Sequence, residues 1–169
     1  SSEANRAYIM ETVDSMMGND VGTTMDNEET FQGEVTEEEV KAKIEEELAV
    51  ELPEFFYFPE GMAFDSYAVD SKAKVGIIQY LQNENVVTLT VYINDKEASA
   101  FALSDSGEMV GTISSQIFEA VQSTLWKVQD KEDKMPTYIL QWNYKNVYYE
   151  LTGKIPEEEM VKIAKDIIF

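Results

Sequence analysis

Carboxylates are the only abundant chemical reagents in this chain, which has 33 Asp and Glu residues, no histidine and no cysteine. Without the latter two there is no Ser-His-Asp or Cys-His nucleophile and no thiolate or imidazole metal site. No side chain titrates near neutrality in its ordinary state either. Acid–base chemistry would have to run on paired carboxylates, Lys or Tyr, and any metal would be a hard cation held by oxygen. Asp65 with Glu150 and Glu119 with Asp133 are such pairs, but nothing in their spacing selects one over another among so many acids. The expectation is a protein without catalytic residues, not an enzyme.

The tracts "DNEE" and "EVTEEE" invite a reading as calcium sites. Neither has the regular oxygen spacing of an EF-hand loop, so solvated charge is the simpler account. "DSGE" at Asp105 to Glu108 reads as a hairpin turn. No metal and no cofactor are expected.

Binding chemistry is better represented, by aromatics. In "EFFYFPEG" an extended chain would point Phe55 and Tyr57 one way and Phe56 and Phe58 the other. Phe55, Phe56 and Tyr57, with Tyr148 further on, are the candidate ligand or partner contacts. The bland alternative is a strand or turn entering the core, where aromatics usually end. Met10, Met16, Met17 and Met25 would make an adaptable binding face, although packing of a helix stripe explains them more simply.

Elements must position these groups, and the chain is long enough to build them. Its 169 residues suit one domain with an appendage, and 44% hydrophobic with 11% aromatic residues is the composition of a folded core. The net charge of −20 excludes nucleic acid as a partner, because a phosphate backbone would meet like charge with no basic stripe. Charge is uneven: residues 1–60 hold 17 acids and 3 bases, whereas residues 61–169 hold 16 and 10. Apolar runs are too short to cross a bilayer. The start "SSEANRAYIM", with no initiator Met, reads as a processed or excised chain, so any membrane contact would come from an anchor upstream.

Residues 1–35 read as an N-terminal helix and a flexible linker. Ile9, Val13, Met16 and Met17 share a helical face, and "GNDVGTTMDNEETFQG" is loop chemistry. Residues 36–169 read as a single domain. A helix over 36–52 opens with a capping box at Thr36 and Glu39 and buries Val40, Ile44 and Leu48. Mainly antiparallel strands then fill 55–152, with turns at "QNEN", "SDSGE" and "DKEDKMP". With Lys145 and Asn146 as a two-residue turn, Tyr144 pairs with Val147, Trp142 with Tyr149, and Leu140 with Leu151. Those six side chains share a core face. Ile139, Gln141, Asn143, Tyr148, Glu150 and Thr152 share the other, mixed and partly wet. Gly153 breaks the strand, Pro156 enters a helix over 156–168, and Met160, Ile163, Ala164, Ile167 and Ile168 give it an apolar face. The fold class is α+β: an antiparallel, twisted β-sheet meander with a C-terminal helix packed on one face and acidic N-terminal helices.

The closing stretch "YILQWNYKNVYYELTGKIPEEEMVKIAKDI" resembles the end of a domain-of-unknown-function family. That family occurs in extracytoplasmic parts of Gram-positive, clostridial-type single-pass membrane proteins, some of them similar to anti-sigma factors. Trp142, Tyr148, Tyr149, Gly153 and the helix from Pro156 carry the resemblance, which extends back to about Asp65. A more distant similarity is to the half-barrel sheets of lipoprotein carriers. The resemblance implies no catalytic residue. It implies a sensory, regulatory or interaction domain on the extracytoplasmic face of the membrane, anchored in the full-length protein, with an unknown protein or envelope ligand as partner. The alternative is a carrier-like domain enclosing an apolar or lipid ligand among residues such as Phe64, Tyr80, Trp126 and Tyr149.

Overall fold

The computed structural model describes residues 35–93 and 107–169. The sequence-based helix at Ile9 to Met17, the linker after it and the strand "SAFALS" lie outside the described residues.

The first helix, α1 (Glu37–Leu48), starts where its cap predicts: Thr36 is extended and its hydroxyl accepts from the Glu39 amide at 3.2 Å. Three glutamates fill its first turn, where the helix dipole favours negative charge. It ends at Leu48 rather than at 52, because Ala49 turns into the left-handed region at φ 54° and closes the helix. Val50 and Leu52 still enter the core, but from an extended linker.

Seven strands follow in one antiparallel sheet: β2 (Met62–Asp70), β3 (Val75–Gln82), β4 (Asn85–Tyr92), β5 (Gly107–Ser114), β6 (Gln122–Val128), β7 (Thr137–Tyr144) and β8 (Val147–Gly153). Their order is β2-β3-β4-β8-β7-β6-β5, so the meander is broken once. A run of three strands and a run of four close on each other through β4 and β8, which puts these two strands in the middle of the sheet. The β7–β8 register is the one the sequence requires: Tyr144 with Val147, Trp142 with Tyr149, Leu140 with Leu151. Lys145 and Asn146 take φ of 50° and 63°, the paired left-handed geometry of a tight hairpin turn.

Strand alternation sorts the sheet into two faces. On one, Ile78, Leu89, Leu151, Leu140 and Leu125 form a continuous cross-strand row, each fully buried. Burying each such side chain contributes about 1.5–3 kcal/mol. The same face takes Val40, Ile44 and Leu48 of α1 and Met160, Ile163 and Ala164 of α2 (Glu157–Lys165). Gly76 makes the α1 contact possible, since a Cβ there would come within 2.9 Å of Ile44 Cγ2.

The C-terminal helix differs from expectation at both ends. Pro156 stands before its first turn as the cap, with φ −55° and ψ 145°. It stops at Lys165, because Ile167 and Ile168 form a short strand, β9 (Ile167–Ile168), paired antiparallel with β1 (Glu54–Phe55). Ile167 reaches the core as expected, from a strand instead of a helix. No described helix is long and apolar enough to cross a membrane.

Candidate functional site

The candidate contacts taken from sequence do not converge. Phe55 and Phe58 stack at 5.2 Å between ring centroids, and Phe55 meets Trp142 edge-on at 6.2 Å. Strand alternation would have separated those two phenylalanines, but β1 is only two residues long and the chain bends after it. Phe56 is 69% exposed. Tyr57 turns toward α2, donating its hydroxyl to Glu159 with Lys162 over its ring at 5.5 Å. Tyr148 lies on the opposite face of the sheet, across from Tyr92 and Asn143.

The carboxylate pairs do not form either. Asp65 is at a bulge in β2, three strands from Glu150. Glu119 and Asp133 sit beyond opposite ends of β6, and Asp133 is paired with Lys154 at 3.0 Å. Trp126 and Tyr149 occupy opposite faces of the sheet, so the four residues proposed to line an apolar cavity do not share one.

The structure instead gathers a groove of about 630 Å³ between α1 and the β7–β8 turn. One wall is a helical stripe: Glu38, Lys41, Ala42 and Glu45 follow at i, i+3, i+4 and i+7, next to the stripe that enters the core. The linker with Glu51, Leu52 and Glu54 continues it, and Tyr144 with Lys145 forms the facing side. The floor is aromatic. Phe169 lies 4.2 Å from Tyr144 and 5.1 Å from Tyr149, and Phe118 meets Tyr144 edge-on at 5.5 Å.

Each part is fixed by a specific bond. The Ser115 hydroxyl donates to the Ile167 carbonyl at 2.7 Å and accepts from the Phe118 amide at 3.2 Å, so one buried serine sets both Phe118 and the strand leading to Phe169. Tyr149 donates to the Glu51 carbonyl at 2.5 Å, and the Leu52 amide donates to Glu45 at 3.3 Å. Burial first, and then the charges of Glu51 and Glu45, push the Tyr149 hydroxyl far above its ordinary range, so it remains a donor.

Charge on the rim is unbalanced: four carboxylates face two ammonium groups. Lys41 is held by Glu37, Glu54 and the Pro53 carbonyl. Lys145 pairs with Glu51 at 3.0 Å, which raises its pKa, and lies 5.2 Å over the Tyr144 ring. Among the described residues, no ammonium is within ion-pair distance of Glu38 or Glu45.

A second unusual group lies on the other face of the sheet. Glu150 is only 3% exposed, although alternation placed it on a partly wet surface, which Asn143 does occupy. It stands between Thr90 and Gln141, whose amide donates to it at 2.8 Å. Burial raises its pKa to about 8, against a smaller opposing effect of Gln141, so it holds a proton at neutral pH. The sequence marks Tyr144 and Glu150 by strand register. Phe118 and Phe169 carry no local signal, because the contacts that bring them together are long-range.

Fold and groove define the class: an open antiparallel sheet, backed by helices on one face, with a recess beside one of them. The model for the family described as "Domain of unknown function (DUF4367)" matches residues 52–167, and the chain belongs to that family. α1, and with it one wall of the groove, precedes the matched region. No curated protein and no solved structure matches the chain significantly.

Proposed function

We propose that this is a non-catalytic interaction domain, sensory or regulatory, carried on the extracytoplasmic face of a membrane-anchored bacterial protein. The groove is the single observation that carries the binding part: an aromatic floor and charged walls contributed by α1, the β7–β8 turn and the C-terminal residues. Its chemistry suits recognition, since half-buried aromatics beside fixed charges are the anchors of protein interfaces. The address, the anchor and the anti-sigma-like context rest on the resemblance of the closing stretch to extracytoplasmic domains of clostridial-type single-pass proteins. The carrier alternative needs an enclosed apolar cavity, whereas Tyr80, Trp142 and Tyr149 fill the helix-covered face by packing on their neighbours.

Two experiments test the two parts. Protease shaving of intact source cells, with a lysed-cell control, should remove the domain from intact cells; protection until lysis would overturn the address. A photo-crosslinking amino acid at position 118 should give a discrete protein adduct in those cells, and adducts to lipid alone would favour the carrier instead.

A further inference from the structure

We propose that the groove takes an extended cationic peptide segment in which a Lys or Arg flanks an apolar side chain. This rests on the groove being the interaction site and names the chemistry of its partner. The apolar side chain belongs on the floor, where Phe118, Tyr144 and Phe169 present half-buried rings in mutual contact. The cations belong on the walls, where Glu38 and Glu45 have no ammonium neighbour among the described residues and the rim as a whole has two more carboxylates than ammonium groups.

The molecule already contains a miniature of the complex. Lys145 lays its ammonium 5.2 Å over the Tyr144 ring and 3.0 Å from Glu51, making with its own turn the contact that a partner's cation would make with the floor and wall. It is exposed and therefore exchangeable, so the lysine acts as an internal competitor. A small polyamine would satisfy the carboxylates but leave the rings uncovered. A neutral apolar ligand would cover the rings and desolvate Glu38 and Glu45 with no cation among the described residues beside either, which is costly. A peptide carrying both kinds of side chain satisfies the whole groove, and electrostatic attraction to an acidic domain speeds its encounter.

The test is an array of hexapeptides of systematically varied composition, probed with the full 169-residue chain at two salt concentrations. The expected result is selection of peptides with Lys or Arg next to an apolar residue, weakened at high salt and lost in Phe118→Ser. Two further variants sharpen it. Glu45→Gln should weaken the selected peptides. Lys145→Asn, which suits the left-handed turn position, should strengthen them by about two- to fivefold, the equivalent of releasing one exposed cation–π contact. Selection of acidic or uncharged apolar peptides that still depends on Phe118 would overturn the cationic assignment and leave the groove as an interaction site. Binding of no peptide at all, by a chain whose folded state is verified by circular dichroism, would overturn both.

Discussion

The hydroxyl of Tyr149 donates to the main-chain carbonyl of Glu51 at 2.5 Å, joining residues 98 positions apart. The bond fixes the linker after α1 to the central strand β8, and the Glu51 side chain in turn holds Lys145. Replacing Tyr149 with Phe keeps the ring stacked on Trp142 and removes only the donor. The expected cost is about 0.5–1.5 kcal/mol in urea unfolding. Local loss of order should be confined to residues 49–54, read as faster amide exchange there. Unchanged exchange in that segment would show that packing alone positions the linker.

Trp142 is 4% exposed, stacked on Tyr149 at 5.7 Å and capped by the edge of Phe55. Trp142→Ala should cost about 3–5 kcal/mol, because the surrounding strands cannot collapse into the space. A loss under about 1 kcal/mol in the same titration would contradict the packing described.

Gly76 lies beneath α1, with no room for a methyl group between it and Ile44. Gly76→Ala should destabilise the protein by about 1–3 kcal/mol through a shift of α1. Gly111, on edge strand β5, has open space where a Cβ would stand and provides the control. Equal midpoints for the two alanine variants in denaturant would mean that α1 yields freely.

Glu150 sets a pH dependence whose sign follows from burial. Its ordinary value of 4.5 rises to about 8 in the folded protein, so between those values the unfolded chain releases a proton that the folded chain keeps. Stability from this group is therefore highest at low pH and falls as pH rises through the window, by up to about 1.4 kcal/mol per pH unit. Glu150→Gln should remove that slope. The stability difference between variant and parent, from urea titrations across pH 4 to 9, should widen with pH and level off above about 8; a flat difference would sink the assignment.

Local grammar made much of this fold readable. Thr36 and Glu39 announce the start of α1, and the alternation around Lys145 and Asn146 gives the register of β7 and β8 residue by residue. The break in the meander was not readable, since strand order depends on which pairings bury most surface and not on turn chemistry. The C-terminal helix was overextended for a related reason. Ile167 and Ile168 satisfy a helical stripe equally well, and only pairing with Glu54 and Phe55 makes them a strand. The same limit hid the groove: Phe118 and Phe169 meet through Ser115, whose bond to Ile167 spans 52 residues. The aromatics that looked functional in sequence, Phe55 and Tyr57, are engaged by Trp142 and Glu159.

The pairing of β1 with β9 orders events in time. A ribosome delivers Glu54 and Phe55 long before Ile167 and Ile168, so the small sheet cannot close until nearly the whole domain has been synthesised. Phe169 follows that closure directly, and the groove has no complete floor before it. A nascent chain that stops before Ile167 would hold most of its seven-stranded sheet and still lack Phe169 under the groove, so among the described residues the recess is finished after the sheet that supports it.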